Sequence, residues 1–346
     1  MNDMKPQIHN MVFLTGSTGL VGGHLIVRLH QSGKNIRALV RTTSAFDQLR
    51  LICKFYQQSF EELYDSVDWV YGNTLDFVGL SELLQGVDEV YHCAAVVSFN
   101  SKNREELLQT NIQGTANMVD ASLKCGVRRF CFISSIGALG SAEKGELINE
   151  KTPWKNDGKA SAYSESKFRS ELQAWRAYNE GLNVVIVNPG VILGPGAPDK
   201  GSLLLFQAGR KGIPFYTKAT TGYVDVRDVC LAATQLMEKE LFGKHFILVS
   251  ESVDNRDLFS TIAKEFDAKA PRFEAGKLIL TLAALVSEVY GFLTKKTPQL
   301  TWETVKSAQK TQKYSSELIR KTLNIEFIPL HQTIRDTCHF IKENNL

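Results

Sequence analysis

The chain has no Cys-x-x-Cys pair, and its cysteines are scattered along its length. Cys93, Cys131 and Cys230 lie in apolar runs, which is typical of buried, reduced thiols. This pattern argues against a disulfide framework and gives no cysteine cluster with metal-ligand spacing. We therefore expect a reducing compartment, the cytoplasm, and no metal site.

Long apolar segments and strong charge are also lacking. The longest apolar run, residues 278–293, contains Glu288 and is shorter than the roughly 20 residues of a spanning helix. We expect a buried or cavity-lining helix there, with a membrane-surface element as the alternative and no transmembrane segment. The first ten residues, MNDMKPQIHN, have no apolar core of a secretory signal. A net charge of +3 is too small to indicate a nucleic-acid partner.

What the chain does have is an alternation of short apolar runs and helical patterns. Near-continuous apolar strands between amphipathic helices predict an α/β fold, a doubly wound parallel sheet of the Rossmann type covered on both faces. We assign residues 1–190, with about 222–250, to this dinucleotide-binding domain, and 191–221 and 251–346 to a smaller, mostly helical substrate lobe. The six predicted strands lie in MVFLT, NIRALVR, DSVDWVY, VDEVYHCAAVV, RRFCFISS and NVVIVNPGVILG, and TGYVDVRDVCLAATQLM and KHFILVS add one more helix and strand.

A glycine-rich turn joins the first strand to the first helix. Glycines at this place permit a tight turn, close approach of the backbone to a pyrophosphate, and close contact between helix and sheet. The context of strand, turn and helix supports a dinucleotide site more strongly than the three glycines alone. The candidate cofactor residues are Thr15, Gly16, Ser17, Thr18, Gly19, Leu20, Val21 and Gly22.

Arg41 stands at the end of the second strand, where an acidic residue would bind the ribose 2′-hydroxyl of NAD. An arginine has no acceptor for that hydroxyl but can clamp a 2′-phosphate. We therefore predict NADP(H) as the preferred cofactor, with NAD(H) still possible. The alternative is a solvated arginine at a strand end.

Polar residues after the third strand are candidates for contact with the adenine. Asn73 can both donate to and accept from an adenine edge, and Thr74 and Leu75 follow it. The alternative is a turn in which Asn73 has a purely local role.

Two further features belong together chemically: Ser134 and Ser135 at the end of the fifth strand, and the segment AYSESK, which contains Tyr163 and Lys167. A spacing of four residues places the phenol and the ammonium on one face of a helix. The positive charge of Lys167 would favour the phenolate of Tyr163. Tyr163 could then exchange a proton with a carbonyl or alcohol oxygen, while a serine stabilises the charge that develops there.

Taken together, these motifs resemble the extended short-chain dehydrogenase/reductase family, within the NAD-dependent epimerase/dehydratase superfamily. The resemblance covers nearly the whole chain and is most similar to the dihydroflavonol-reductase and 3β-hydroxysteroid-dehydrogenase branch. The segments that carry it are TGSTGLVG at 15–22, HCAA at 92–95, TNIQGTANMVDAS at 110–122, FISS at 132–135, Y-x-x-x-K at 163–167, NPGVILGPG at 188–196, YVDVRDV at 223–229 and the tail from 314.

The resemblance implies a role for individual residues. It gives Ser135, Tyr163 and Lys167 as catalytic, with Ser134 as the alternative serine and a cofactor contact, and Lys167 on the nicotinamide ribose. It gives Asn111 a structural or proton-relay role. The ribose and nicotinamide would be lined by Ala94, Ala95, Pro189, Gly190 and Val191.

The chain departs from the family pattern in ways that bear on its substrate. Asn73 replaces the usual aspartate. Sugar-nucleotide branches carry R-x-x-N-x-Y-G-P near 187–195 and an arginine before YVDV, but this chain has VNPGVILGP and TTGYVDV. The missing groups favour a reductase of a ketone or aldehyde on a bulky, mainly apolar substrate over a nucleotide-sugar epimerase or dehydratase. The apolar segments SLLLF and KLILTLAALVSEVYGFL favour the same substrate class.

Two alternatives stay open at this point. The chain could be a non-catalytic NADP-binding regulator, although such proteins usually lose the tyrosine or the lysine, and both are present here. The resemblance also implies a possible homodimer through helices at about 103–125 and 163–180, although some reductases of this branch are monomers.

Overall fold

The computed structural model describes residues 11–43, 45–97, 104–143, 145–155, 158, 160–276, 279–281 and 310–346. A seven-stranded parallel sheet lies at its centre, with the strand order β11-β7-β5-β4-β1-β2-β3. The predicted doubly wound Rossmann sheet is confirmed. Its strands are β1 (Met11–Thr15), β2 (Asn35–Val40), β3 (Val67–Tyr71), β4 (Glu89–His92), β5 (Arg129–Ile133), β7 (Asn183–Pro189) and β11 (Lys244–Leu248).

Smaller sheets accompany the central one. The strands β8 (Val191–Leu193), β10 (Thr220–Asp225) and β12 (Glu251–Asp254) form a three-stranded sheet. Two short pairs complete the set: β6 (Leu147–Ile148) with β14 (Lys313–Tyr314), and β9 (Phe215–Tyr216) with β13 (Phe273–Glu274).

Helices cover the central sheet and build the smaller lobe. In the described residues the α-helices are α1 (Leu20–Gln31), α2 (Asp47–Phe55), α3 (Phe60–Ser66), α4 (Phe77–Leu83), α5 (Arg104–Leu108), α6 (Gly114–Lys124), α7 (Ala162–Asn179), α8 (Leu204–Arg210), α9 (Val226–Glu238), α10 (Asn255–Glu265), α11 (Glu317–Leu323) and α12 (Leu330–Glu343). A π-helical turn, Gln109–Gln113, joins α5 to α6, and 3₁₀ turns cover Ile136–Ala138 and Gly201–Leu203.

The hydrophobic core has a layer on each face of the central sheet. Alternate residues of β1 separate into the two layers: Val12 and Leu14 pack on one side, and Phe13 packs on the other. Strands buried on both faces read as unbroken apolar runs, which is why the sequence predicted them well. All six cysteines lie in the described residues, and they are free thiols.

Three predicted segments differ from the structure. NVVIVNPGVILG is two strands, because Pro189 and Gly190 break the run and β8 joins the second sheet. TGYVDV is the strand β10 rather than the start of a helix, and α9 begins where the Asp225 side chain accepts from the Arg227 amide. The long helix predicted over 103–126 is interrupted by the π-turn, which a hydrophobic pattern does not reveal.

The smaller lobe has its own core. Leu203 and Phe206, from the SLLLF segment, are almost fully buried there with Tyr223. These two side chains therefore stabilise the lobe and give no support to an apolar substrate. Most of the predicted apolar helix at 278–293 lies outside the described residues, as does residue 103 at the start of a predicted dimer helix. Within the described chain no helix is long and apolar enough to cross a membrane.

The contact between α1 and the glycine turn generates the first prediction. A Cβ on Gly22 would overlap the Gly16 carbonyl oxygen and lie 2.9 Å from the Ser17 Cα. Both obstacles are close to backbone and cannot rotate away, so Gly22→Ala should lower the free energy of unfolding by about 1–3 kcal/mol. Urea denaturation measures this. Gly276→Ala is the matched control, because a Cβ there meets no described atom within 4 Å and should change stability by less than about 0.5 kcal/mol.

Candidate functional site

The glycine turn at the end of β1 brings two loops into backbone contact. Gly16 has φ +70°, and a Cβ on it would lie 2.8 Å from the Ala94 nitrogen after β4. The Ala94 amide also donates to Thr15 Oγ1 at 3.1 Å. The turn therefore leaves room for glycine alone, and it fixes the loop after β4 beside it.

The N-terminus of α1 opens onto this turn. Gly19 is the N-cap residue, and in the described chain no side chain caps the helix or places an acid in its first turn. By contrast, α7 begins with a side-chain cap, because Ser161 accepts from the Ser164 amide. Free first-turn amides and the positive end of the helix dipole suit an anion, and a glycine-lined approach suits a diphosphate. These residues fit a dinucleotide cofactor.

The turn also lies beside the end of β2. Ser17 Oγ donates to the Leu39 carbonyl at 2.9 Å, and Arg41 is exposed two residues later. Next to this strand, Gly72 N donates to the Val40 carbonyl at 3.0 Å. The structure therefore places Arg41 and the Asn73 segment at the same edge as the glycine turn.

Asn73 has a local contact. Its Oδ1 accepts from the Leu75 amide at 3.0 Å, which is the turn role that the sequence left open. Thr74 is buried, and its carbonyl accepts from Asn117 Nδ2 at 3.0 Å. This segment is thus a fixed turn, and contact of Asn73 with an adenine stays a prediction.

Tyr163 meets Ser135 across the carboxyl end of the sheet. Their side chains are hydrogen-bonded, and Ser135 Oγ also accepts from the Gly137 amide at 3.0 Å. Burial raises the pKa of the Tyr163 phenol, and the Ser135 contact opposes that rise. Burial is the larger of these two effects on the pKa, and the effect of Lys167 on the phenolate stays a prediction.

Lys167 is buried one helical turn further along α7. Its Nζ donates to the Ile133 carbonyl at 2.9 Å, at the end of β5. Burial lowers the pKa of Lys167 to about 8, against the pull of the Glu171 carboxylate. A lysine that titrates near neutrality at the end of a parallel strand is typical of a functional site.

Asn111 holds the loop after β4 against α7. Its Oδ1 accepts from the Val96 amide at 2.7 Å, and its Nδ2 donates to the Val96 carbonyl at 2.9 Å and to Ser166 Oγ at 3.0 Å. Ser166 in turn donates to the Tyr163 carbonyl at 2.8 Å. Because Asn111 lies in the π-turn, the interrupted helix directs this amide inward, and contacts run from the glycine turn to Tyr163.

A second series of buried hydrogen bonds runs through His92. Thr115 Oγ1 donates its proton to the Asn111 carbonyl at 2.7 Å, so it accepts from His92 Nε2 at 3.1 Å. Burial and the charge of Lys167 lower the pKa of His92 to about 3, so the ring is neutral. His92 Nδ1 therefore accepts from Thr15 Oγ1 at 2.8 Å, and the tautomer is fixed.

The two adjacent serines point in different directions. Ser134 is buried and its Oγ donates to Glu171 Oε1 at 2.5 Å, whereas Ser135 contacts Tyr163. Ser135 is therefore the serine that contacts Tyr163, and the Ser134 hydroxyl is directed to Glu171.

The remaining candidates lie on two loops at this edge. Ala94 and Ala95 are half-buried between the glycine turn and Asn111. Gly190 N donates to the Leu248 carbonyl at 2.9 Å, and a Cβ on Gly190 would lie 2.5 Å from the Gly222 carbonyl oxygen. Pro189 ends β7 and Val191 begins β8.

Sequence reasoning assigned no role to Glu171, Asn188, His92 or Ser166, although all four are buried polar groups of this site. A signal was available for Glu171, since it is four residues beyond Lys167 and shares its helix face. For Asn188 and Ser166 only the folded structure shows the partners.

Comparisons with known proteins identify the family of this chain. The model of the NAD dependent epimerase/dehydratase family matches residues 12–248. The chain is 27% identical to a protein assigned as a dihydroflavonol 4-reductase from Synechocystis sp. (96% of this chain, 94% of the relative). It is 24% identical to sterol demethylase protein B of Methylococcus capsulatus (96% and 98%) and 25% identical to cinnamoyl-CoA reductase 1 of Petunia hybrida (98% and 94%).

Solved structures share the fold over almost the whole chain. The crystal structure of gox2253 superposes with a TM-score of 0.78 at 26% identity, covering 97% of this chain and 98% of that one. UDP-glucose 4-epimerase of Thermotoga maritima superposes with a TM-score of 0.75 at 17% identity, covering 97% and 100%. The second likeness concerns the fold alone.

The buried histidines generate a prediction about acid stability. Burial lowers the pKa of His92 to about 3 and that of His24, which contacts the Pro195 carbonyl at 2.9 Å, to about 4, from 6.5. Between pH 6.5 and about 4 these two histidines are protonated in the unfolded chain but neutral in the folded protein. Their contribution to the free energy of unfolding therefore falls as the pH falls. The two histidines together contribute about 2.7 kcal/mol per pH unit, and Asp228, whose pKa burial raises to about 6, offsets part of this slope below pH 6.

Urea denaturation at several pH values measures this slope. His92→Gln keeps a neutral group that donates and accepts, and it should remove about one proton, or about 1.4 kcal/mol per pH unit, from the slope. His339→Gln, on the exposed face of α12, is the control and should leave the slope as in the wild type. An unchanged slope in His92→Gln would contradict the assignment of a buried neutral imidazole.

Proposed function

Because the chain belongs to the NAD dependent epimerase/dehydratase family, we propose that it is an NADP(H)-dependent oxidoreductase. In this proposal it reduces a ketone or aldehyde on a bulky, mainly apolar substrate, and Tyr163 is the proton donor. The observation that carries the proposal is the hydrogen bond between Tyr163 and Ser135 at the carboxyl end of the sheet, with Lys167 one helical turn away.

The protonation state of Tyr163 suits a reduction. A phenol is protonated at neutral pH, so Tyr163 can give its proton to a carbonyl oxygen as that oxygen gains charge. Ser135 would donate to the same oxygen, since its hydroxyl already lies in contact with the phenol. After transfer, the Lys167 cation favours the phenolate that remains. The nicotinamide cofactor, when bound, supplies the hydride.

Each part of the cofactor has residues that would hold it. The first-turn amides of α1 and the turn at Gly16–Gly19 suit the diphosphate, and the loop at Ala94–Ala95 lies between this turn and the proposed catalytic residues. Arg41 lies beside the turn at the end of β2 and would pair with a 2′-phosphate. This arrangement supports NADP(H) over NAD(H).

The substrate class rests on the sequence and the relatives. The segments VNPGVILGP and TTGYVDV lack the arginines with which the sugar-nucleotide branches hold a diphosphate sugar. The relatives named above are assigned to dihydroflavonol, sterol and cinnamoyl-CoA substrates, and each is at least partly ring-shaped and apolar. These points favour an aromatic or polycyclic carbonyl compound.

NADPH oxidation over a panel of aromatic and steroid-like aldehydes and ketones tests the activity. Tyr163→Phe should lose at least about 100-fold in kcat and keep its NADPH affinity, because only the proton donor is removed. Lys167→Met should lower both kcat and the affinity for NADPH. Tyr178→Phe, on the same helix but 40% exposed, is the matched control and should keep full activity.

Three results would contradict the proposal. Near-normal turnover by Tyr163→Phe would remove the catalytic assignment. Thermal stabilisation by sugar nucleotides, without stabilisation by apolar ketones, would favour an epimerase or dehydratase. NADPH binding without oxidation of any panel member would favour the regulator.

Cofactor choice gives a separate prediction. Arg41→Met should weaken NADPH binding about 10–100-fold and leave NADH binding within about twofold, because only NADPH has the 2′-phosphate. Titration calorimetry with both cofactors measures this. Arg50→Met is the control, since this exposed α2 arginine pairs with Glu61 at 3.1 Å. Tighter binding of NADH than of NADPH by the unmodified protein would refute the preference.

A further inference from the structure

Glu171 is a buried acid for which the proposed reaction has no direct use. It lies on α7 four residues beyond Lys167 and eight beyond Tyr163, so all three side chains share one helix face. Its side chain is only 6% exposed. Burial of a carboxylate costs free energy unless it is hydrogen-bonded and paired. The role of Glu171 is therefore inferred from the groups that it contacts.

Those contacts reach three neighbouring strands. Glu171 Oε1 accepts from Ser134 Oγ at the end of β5, at 2.5 Å, and from Asn188 Nδ2 on β7. Its Oε2 lies 3.9 Å from His245 Nδ1 on β11. The strands β5, β7 and β11 are adjacent in the sheet, so one carboxylate links α7 to the ends of β5 and β7 and lies beside the start of β11.

The same contacts lead to the serine of the site. Asn188 Nδ2, which donates to Glu171, also donates to the Ser135 carbonyl at 3.1 Å. Ser134 is thus held through its hydroxyl, which donates to Glu171, and Ser135 through its backbone carbonyl, which accepts from Asn188. The position of the Ser135 hydroxyl, and of its contact with Tyr163, depends on these bonds.

Glu171 also faces the charge of Lys167. The groups that act on Lys167 from β4 are His92 and Cys93, and burial keeps both uncharged: it lowers the pKa of His92 to about 3 and raises that of Cys93 to about 12. The carboxylate of Glu171 favours the protonated form of Lys167 against burial. Without it, the ammonium would lose the charge that compensates its desolvation.

His245 is the other ionisable group at this carboxylate. Its Nε2 donates to the Glu150 carbonyl at 2.9 Å. Burial on its own would lower the pKa of His245, but the Glu171 and Glu150 side chains outweigh burial and raise it. Protonated His245 would compete for Glu171 at lower pH, so the coupling to Lys167 is best measured on the alkaline side of neutrality.

We propose that Glu171 is a positioning residue of the active site: its carboxylate fixes the Ser134–Ser135 strand end and holds Lys167 as a cation. The kinetic part of this inference rests on the proposed function. The part that concerns Lys167 does not, because it is a property of the protein without cofactor or substrate.

The direct test is the titration of Lys167 in the cofactor-free protein. ¹³C NMR of lysine labelled at Cε follows each ammonium, and the Lys167 signal is the one that Lys167→Met lacks. In the wild type its midpoint should lie near pH 8. In Glu171→Gln, which keeps the shape but not the charge, it should fall by about one pH unit.

Glu165→Gln is the matched control. Glu165 is on the same helix, but its partners are Arg104 at 2.6 Å and Arg169 at 3.4 Å, on the outer side. Its loss should leave the Lys167 midpoint unchanged. An equal midpoint in the wild type and in Glu171→Gln would overturn the proposal, whether or not the protein reduces any carbonyl compound.

Kinetics test the positioning role. In carbonyl reduction, Glu171→Gln should lower kcat about tenfold and shift the alkaline limb of kcat/KM to lower pH by the same amount as the NMR midpoint. A purely structural role would lower activity at all pH values without moving the limb, and that result would overturn the proposal. If the wild type reduces no panel member, the proposed function fails, and the NMR comparison still decides the role of Glu171.

Ser134→Ala separates position from charge, and it serves if Glu171→Gln does not fold. It removes the hydroxyl that donates to Glu171 and leaves every charge in place. We expect kcat to fall several-fold with an unchanged Lys167 midpoint and unchanged NADPH affinity. Wild-type kcat in Ser134→Ala would overturn the positioning role of this contact.

Discussion

The structure depends on the backbone contact between the turn after β1 and the loop after β4. At Gly16 the turn and the loop approach so closely that a Cβ would lie 2.8 Å from the Ala94 nitrogen. Gly22 likewise lets α1 lie directly against the backbone of the turn. Parallel strands end at one edge of a sheet, so this contact sets where the glycine turn, the loop after β4 and the start of α7 meet. Residues with side chains would push these elements apart.

Buried polar groups hold the π-turn and α7 in place next to this backbone contact. Asn111, His92 and Thr115 link the π-turn to the end of β1, and Glu171 links α7 to the ends of β5 and β7. Such groups are costly to bury and are retained only with partners of good geometry. Their number near Tyr163, and the unbroken apolar layers elsewhere on the sheet, show where the fold gives up hydrophobic burial for fixed positions.

The charge of Lys167 illustrates the same compromise. Burial lowers its pKa to about 8, which is a cost to the folded state at neutral pH. In the proposed reaction this cation would favour the phenolate that Tyr163 becomes when it gives up its proton. The chain keeps this cation in place with the Ile133 carbonyl on one side and the Glu171 carboxylate on the other.

By itself the sequence determined the fold class, the glycine turn, the strands buried on both faces and the position of Tyr163 and Lys167 one turn apart on one helix, because each of these has a local spacing of two, three or four residues. It could not separate Ser134 from Ser135, since both follow the same strand and only their partners, Glu171 and Tyr163, differ. Nor could it place the π-turn at Asn111, the strand β10, or the burial that raises the pKa of Tyr163. Those features arise from contacts between residues far apart in the chain, and so only the tertiary structure decided them.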